Sequence, residues 1–187
     1  LILTYIISTA FSVMPRVSIF GSYQRLQGTY STFSYIVIFF LMIEGLRQRE
    51  QIERFITVAI LTSIPVTLYG VLQNLGYDPL PWLGNVQLRI ASTMGNSIFV
   101  AAYLIMVVPL TIARIVSAVS ATMREENPPT ARFVLIPFYV LILFSQIVAI
   151  IFTQSRGPWL GLLGGLFFLV LIYTLSLRRR VFALAWV

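Results

Sequence analysis

In 187 residues the chain carries 58% hydrophobic and only 10% charged side chains, at a mean hydropathy of +0.90. Soluble domains carry about 25% charged residues, so this balance excludes an ordinary soluble fold and points to an integral membrane protein. All 13 cationic residues are arginine, against 6 carboxylates, and with neither cysteine nor histidine the chain lacks disulfides, thiolate metal sites and the commonest general base.

Residues 1 to 13 are apolar but shorter than the roughly 20 helical residues that cross a hydrocarbon core, so they read as the tail of a span. Met14 to Gly28, with Arg16 and Arg25, reads as a loop or a short interfacial helix. Thr29 to Leu46 is the second hydrophobic segment. The mixed-charge turn Arg47 to Arg54 ends it, and Glu50 and Arg54 are spaced as an i,i+4 pair on a solvated helical hairpin. Phe55 to Leu75 is the third span and holds Pro65, which a spanning helix tolerates as a kink when neighbours satisfy the freed carbonyl.

Gly76 to Asn96 is the longest non-apolar connection; its prolines and glycines predict an ordered, turning loop that carries Asp78, Trp82 and Arg89. Ser97 to Ile115 is the fourth span. The charged connection Arg114 to Arg132, broken by Pro128 and Pro129, leads to the fifth, Phe133 to Phe152. Thr153 to Pro158 turns the chain into the sixth, Trp159 to Leu177. Arg178 to Arg180 reads as another charged loop, and Val181 to Val187 as the start of a further span. The expected fold is all-α: a polytopic transmembrane helix bundle, a single domain over 1–187, with about five full spans and partial spans at both ends. The chain begins at Leu1 without methionine and ends at Val187 inside an apolar run, so it is read as a segment of a longer protein.

Alternate loops lie on one side if every segment spans. One set holds nine arginines (Arg47, Arg49, Arg54, Arg114, Arg124, Arg132, Arg178, Arg179, Arg180) and the other four (Arg16, Arg25, Arg89, Arg156). The positive-inside rule puts the larger set in the cytoplasm, which expects a multi-pass protein of the cytoplasmic (inner) membrane. Loop arginines that set topology also account for the positive charge without nucleic acid as a partner. The four external arginines, with Asp78 as the only external carboxylate, need another reason, and guanidinium groups suit bidentate contacts to phosphate or carboxylate. Asp78 reads as a base or, preferably, as a local partner of Arg89. The aromatics Tyr23, Tyr30, Tyr35, Tyr77, Trp82 and Trp159 read as an interfacial belt, with sugar stacking at Trp82 or Tyr77 as the secondary reading.

Arg156 is the leading candidate. It lies in Thr153-Gln154-Ser155-Arg156-Gly157-Pro158, between two apolar runs, and Gly157 and Pro158 start a helix whose terminal amides and dipole add to the positive potential. Gly157, Gly161 and Gly165 recur every four residues, a face suited to close helix contact.

Three stretches together resemble the family of bacterial O-antigen ligases, O-antigen polymerases and related O-oligosaccharyltransferases: FGSYQRLQGTYSTFSYIVIFF (20–40), RIASTMGNSIFVAAYLIMVVPL (89–110) and TQSRGPWLGLLGGLFFLVL (153–171). The resemblance implies a membrane glycosyltransferase that moves a glycan from a polyprenyl diphosphate carrier to an acceptor at the outer face, without metal or nucleotide cofactor. It implies diphosphate binding by Arg156, Arg89 and Arg25, supported by Ser155, Gly157 and Asn96; Arg16 has no counterpart. The family's functional histidine and further arginine, in a large external loop after the Ser-Arg-Gly helix pair, are not in these residues, so no catalytic residue is assigned. The implied partners are membrane lipid, the lipid-linked glycan and other membrane subunits. A reading from another class is a non-catalytic transmembrane subunit of a larger membrane complex. A transporter requires paired broken helices or midplane charges, which the apolar runs do not offer.

Overall fold

A computed structural model describes residues 2–22, 27–82, 84–125 and 129–184, with 176–184 as backbone alone. The described residues form seven α-helices and no strand: α1 Ile2–Ala10, α2 Pro15–Phe20, α3 Thr29–Gly45, α4 Arg49–Asn74, α5 Ser97–Arg124, α6 Thr130–Thr153 and α7 Arg156–Leu184, with a short 3-10 turn at Ser92–Met94. The protein is an all-α, multi-pass membrane helix bundle. Among the described residues four helices are long and apolar enough to cross a membrane: α4, α5, α6 and the Arg156–Leu175 part of α7. α3 is apolar but has 17 residues, about 25 Å at 1.5 Å per residue, somewhat short of a hydrocarbon core of about 30 Å. Their exposed apolar side chains form the surface that meets lipid.

Several boundaries differ from the sequence expectation for one physical reason: arginine is a good helix former, so a charge does not end a helix that has no breaker. α4 starts at Arg49, inside the expected charged turn. α5 runs on to Arg124, so Arg114 is a helical residue rather than a loop residue, and its guanidinium donates to Thr57 Oγ1 at 3.0 Å. α6 begins at Thr130 and includes Arg132, so the expected connection contracts to the segment around Pro129; Pro128 lies outside the described residues. The expected loop at Arg178–Arg180 is not formed, because the backbone of α7 continues helically through it to Leu184. The expected new span after Val181 is therefore an extension of α7 as far as Leu184, and 185–187 lie outside the described residues.

Contacts divide the chain into two compact units, 1–55 and 56–187. In the first, α1, α2 and α3 pack together, and α2 fulfils the expectation of a short helix in the connection. The Thr29 hydroxyl donates to the carbonyl of Ser18 at 3.0 Å and shares a hydrogen bond with the Thr9 hydroxyl, tying both preceding helices to the start of α3. Glu50 and Arg54 pair as expected, at 3.5 Å, and Arg49 reaches Glu53 at 3.8 Å. Both pairs are largely exposed and add little stability.

In the second unit α5 is central, packing against α6 and α7. Val66, Ile90, Val100, Leu104, Val108, Ala149, Ile150 and Leu162 form the main apolar core. α4 joins through polar pairs as well. The buried Gln146 amide donates to Ser63 Oγ at 2.8 Å and to Thr111 Oγ1 at 3.1 Å, and the hydroxyls of Thr67 and Ser145 lie 3.2 Å apart. The glycine stripe of α7 is less occupied than its spacing predicts. A methyl added at Gly161 meets Ile105 Cδ1 at 3.4 Å, but one at Gly157 or Gly165 meets nothing within 4 Å.

Gly28 is buried at the start of α3, where an added Cβ falls 2.2 Å from the Ile19 carbonyl oxygen and 2.4 Å from the Gly21 nitrogen. Backbone atoms cannot swing aside as a side chain can. Gly28→Ala is expected to destabilise the first unit by about 1–3 kcal/mol, seen as a lower melting midpoint by circular dichroism of the detergent-purified protein. Gly45→Ala is the control, since its methyl meets nothing within 4 Å.

Candidate functional site

A polar loop against the end of a membrane bundle must find partners for each backbone group it buries. The connection after α4 does so at both of its neighbours. The fully buried Gln73, near the end of α4, accepts from the backbone amides of Ala91 (3.1 Å) and Ser92 (2.7 Å) with its carbonyl oxygen and donates to Asp78 Oδ2 at 2.8 Å. Asn74 donates to the Gln87 carbonyl at 2.7 Å, and the Ser92 hydroxyl to the Val66 carbonyl at 2.7 Å. On the other side, the Ile90 amide donates to the Phe152 carbonyl at 3.2 Å.

The end of α6 is shaped for that meeting. Gln154 takes a left-handed conformation (φ 48°) and its amide donates to the Ile151 carbonyl, which stops the helix; after Ser155 the chain starts α7 at Arg156. Carbonyls in the last turn of α6 have no intrahelical donor. Arg89 supplies one: its Nε donates to the Thr153 carbonyl at 3.3 Å, with a longer contact of 3.5 Å from its terminal nitrogen to Ser155 Oγ. The structure thus brings the Arg89 segment and the Ser-Arg-Gly turn to the same end of the second unit. Both Arg89 partners are neutral oxygens, and three of the five guanidinium N–H donors stay uncommitted among the described residues.

Arg156 is exposed and has no hydrogen-bonding or ion-pair partner among the described residues. Ser155 is buried, its hydroxyl donating back to the Thr153 carbonyl at 3.2 Å. Asn96 caps α5, with its side-chain oxygen accepting from the Ile98 amide at 2.9 Å. Gly157 is exposed in the first turn of α7. Arg16 lies on α2, in the first unit, and Arg25 lies outside the described residues, as does Tyr23. No group of metal-binding side chains occurs among the described residues.

Asp78 is not the partner of Arg89. Its carboxylate instead accepts from Tyr69 Oη (2.9 Å), Gln73 Nε2 (2.8 Å), Trp82 Nε1 (2.7 Å) and the Leu80 amide (3.0 Å). Neither does it suit a general base. Partial burial alone would push its pKa up, but the Leu80 amide and then the Gln73, Trp82 and Tyr69 donors outweigh that and hold the carboxyl below its ordinary value. The sequence signals for this cluster were a carboxylate four residues before a tryptophan and an amide pair, Gln73-Asn74, at the end of an apolar run.

Between the loop and the N-terminus of α5 lies an open cavity of ≈ 690 Å³, lined by Trp82, Asn85, Arg89, Asn96 and Ser97 among others. That volume is in the range of small-molecule sites. It holds one cation and the amino end of a 28-residue helix, so its potential favours an anion.

Because the folded pKa of Asp78 is depressed, the stabilisation it gives is present at neutral pH and is lost as pH falls through that folded value. Asp78→Asn is expected to lower the melting midpoint at pH 7. The gap to the unsubstituted protein is expected to close only below about pH 4, in melting curves taken from pH 7 to pH 3. A gap that stays constant over this range contradicts the assignment. No protein family, curated protein or solved structure matches the chain.

Proposed function

We propose that the chain forms part of a membrane glycan ligase or polymerase, which transfers a glycan from a polyprenyl diphosphate carrier to an acceptor at the outer face of the cytoplasmic membrane. The observation that carries this reading is the contact of Arg89 with Thr153 and Ser155, which joins the two segments bearing the candidate arginines. Arg156 and Arg89 bind the diphosphate, and the amino ends of α5 and α7 add to the positive potential. Toward the other end of the unit Arg114 reaches Thr57, and Arg124 and Arg132 stand at helix ends, so the positive-inside rule assigns that end to the cytoplasm.

In the transfer an acceptor hydroxyl oxygen attacks the anomeric carbon and gives up its proton to a base that these residues do not supply, while the bond from that carbon to the diphosphate oxygen breaks and the bonding pair stays on the diphosphate. Negative charge grows on the leaving group as the bond lengthens, so a fixed cation there stabilises the transition state more than the ground state. With no histidine in the chain and Asp78 saturated by donors, the reading gives these residues the leaving-group half of the chemistry and no acceptor base.

The second reading, a non-catalytic subunit packed in a larger membrane complex, is favoured by one observation. Only 6% of the apolar window of α7 is buried, against 22–33% in the other three spans, which leaves that helix free to meet another protein.

Arg156→Ala and Arg156→Lys are expected to reduce glycan transfer about 100-fold or more with an unchanged membrane level, lysine failing because it loses the bidentate fork. Arg89→Ala lowers transfer and also stability, since it uncaps α6. Normal transfer by both Arg156 variants, together with copurification of other membrane proteins at fixed stoichiometry, would replace this reading with the second.

A further inference from the structure

We propose that the cavity beside Arg89 takes the first sugar of the lipid-linked glycan, with Trp82 as its stacking surface and Asp78 as the residue that positions Trp82. The inference rests on the diphosphate reading above and adds to it what is recognised next to the phosphates. Three features of the cavity point to a carbohydrate.

The first is the indole itself. Trp82 lines the cavity, only partly exposed, and its N–H is committed to Asp78 at 2.7 Å. Asp78 is in turn held by Tyr69, Gln73 and the Leu80 amide. A ring tethered through its N–H to a carboxylate that other donors hold has fewer orientations to lose when a ligand arrives, and preorganised surfaces bind with less entropic loss. Tyr77, the other aromatic of the loop named for stacking, is 73% exposed and does not line the cavity, so the geometry separates two candidates that the sequence left together.

The second feature is the pair of amides. Asn85 accepts from the Leu88 amide at 3.1 Å and Asn96 from the Ile98 amide at 2.9 Å, each with its side-chain oxygen. Their –NH2 groups stay uncommitted among the described residues and are donors suited to sugar hydroxyls. The third is Arg89, which lines the same cavity with N–H donors to spare. An aromatic surface, amide donors and a guanidinium in one cavity match a sugar with its apolar C–H face, its hydroxyls and an attached phosphate.

The test uses the detergent-purified chain and two probes, farnesyl diphosphate and farnesyl diphosphate carrying one hexose, with dissociation constants measured by titration calorimetry. The unsubstituted protein is expected to bind the hexose-bearing probe roughly three- to tenfold more tightly. Trp82→Ala is expected to abolish that preference while binding bare farnesyl diphosphate within about twofold of the original. Trp82→Phe, which keeps a ring and puts less of the fold at risk, is expected to retain it. A preference that survives Trp82→Ala, or none in the unsubstituted protein, overturns the sugar site and leaves the diphosphate reading standing. Failure of both probes to bind, or binding unaffected by Arg156→Ala, overturns both.

Discussion

The side-chain amide of Gln73 is wholly buried, yet both its ends are used: its oxygen receives two backbone amides of the long connection, and its nitrogen holds the carboxylate of Asp78. A loop packed on the end of a membrane bundle has backbone groups that neither lipid nor helix can satisfy. Gln73 satisfies them in pairs. Ser92, one of the residues it holds, sits at φ 47°, a left-handed conformation unfavourable for a residue with a Cβ. The bonds to Gln73 and to the Val66 carbonyl fix it there, and the chain then turns through Gly95 and Asn96 into α5. The Gln73 amide, with the Ser92 bond to Val66, thus helps set the α5 amino end and the cavity beside it.

Below the loop, polar pairs also hold the helices. In a bilayer apolar side chains gain little from leaving lipid for protein, so close packing and interhelical hydrogen bonds carry more of the association. Gln146 joins α6 to Ser63 of α4 and Thr111 of α5, and Thr67 meets Ser145. Each such bond in membrane helices is worth only about 1 kcal/mol. Their larger effect is rotational: a buried amide that must face two hydroxyls admits one register of three helices. That register fixes the end of α6, where Arg89 binds.

Much of the architecture was legible in the amino-acid sequence because it depends on local pattern. Apolar runs of about 20 residues mark spans, and Pro129 and the Gly76–Asn96 stretch mark real interruptions. Charge misled where it was read as a terminator. Arg114 and Arg178–Arg180 interrupt the apolar pattern without interrupting the helix, because backbone hydrogen bonds tolerate arginine well. The site was legible only in parts. Arg89 and Arg156 stood out by their place in the topology, but the contact between Arg89 and Ser155 spans 66 residues of chain and no local pattern encodes it. Asp78 was mispaired for the same reason. Opposite charge suggested Arg89, whereas the fold surrounds the carboxylate with neutral donors, and these hold it ionised without using a cation.

That last substitution of partners has a consequence for the arginines. Had Asp78 neutralised Arg89, that charge would be cancelled internally, leaving Arg156 as the uncancelled one of the two arginines at this end of the second unit. With four neutral donors on Asp78 and two neutral acceptors on Arg89, both charges persist, and Arg156 adds a second cation at the start of α7. The two arginines are not equivalent. Arg89 is anchored on the end of α6 and supplies a cation whose place is set before a ligand binds, whereas Arg156 has no described partner to constrain it. A diphosphate carries separate phosphate groups whose charge changes during bond cleavage. For the diphosphate proposed above, one fixed and one adaptable guanidinium would be better suited than two rigid ones, since the first would set its position and the second would follow the charge as it grows.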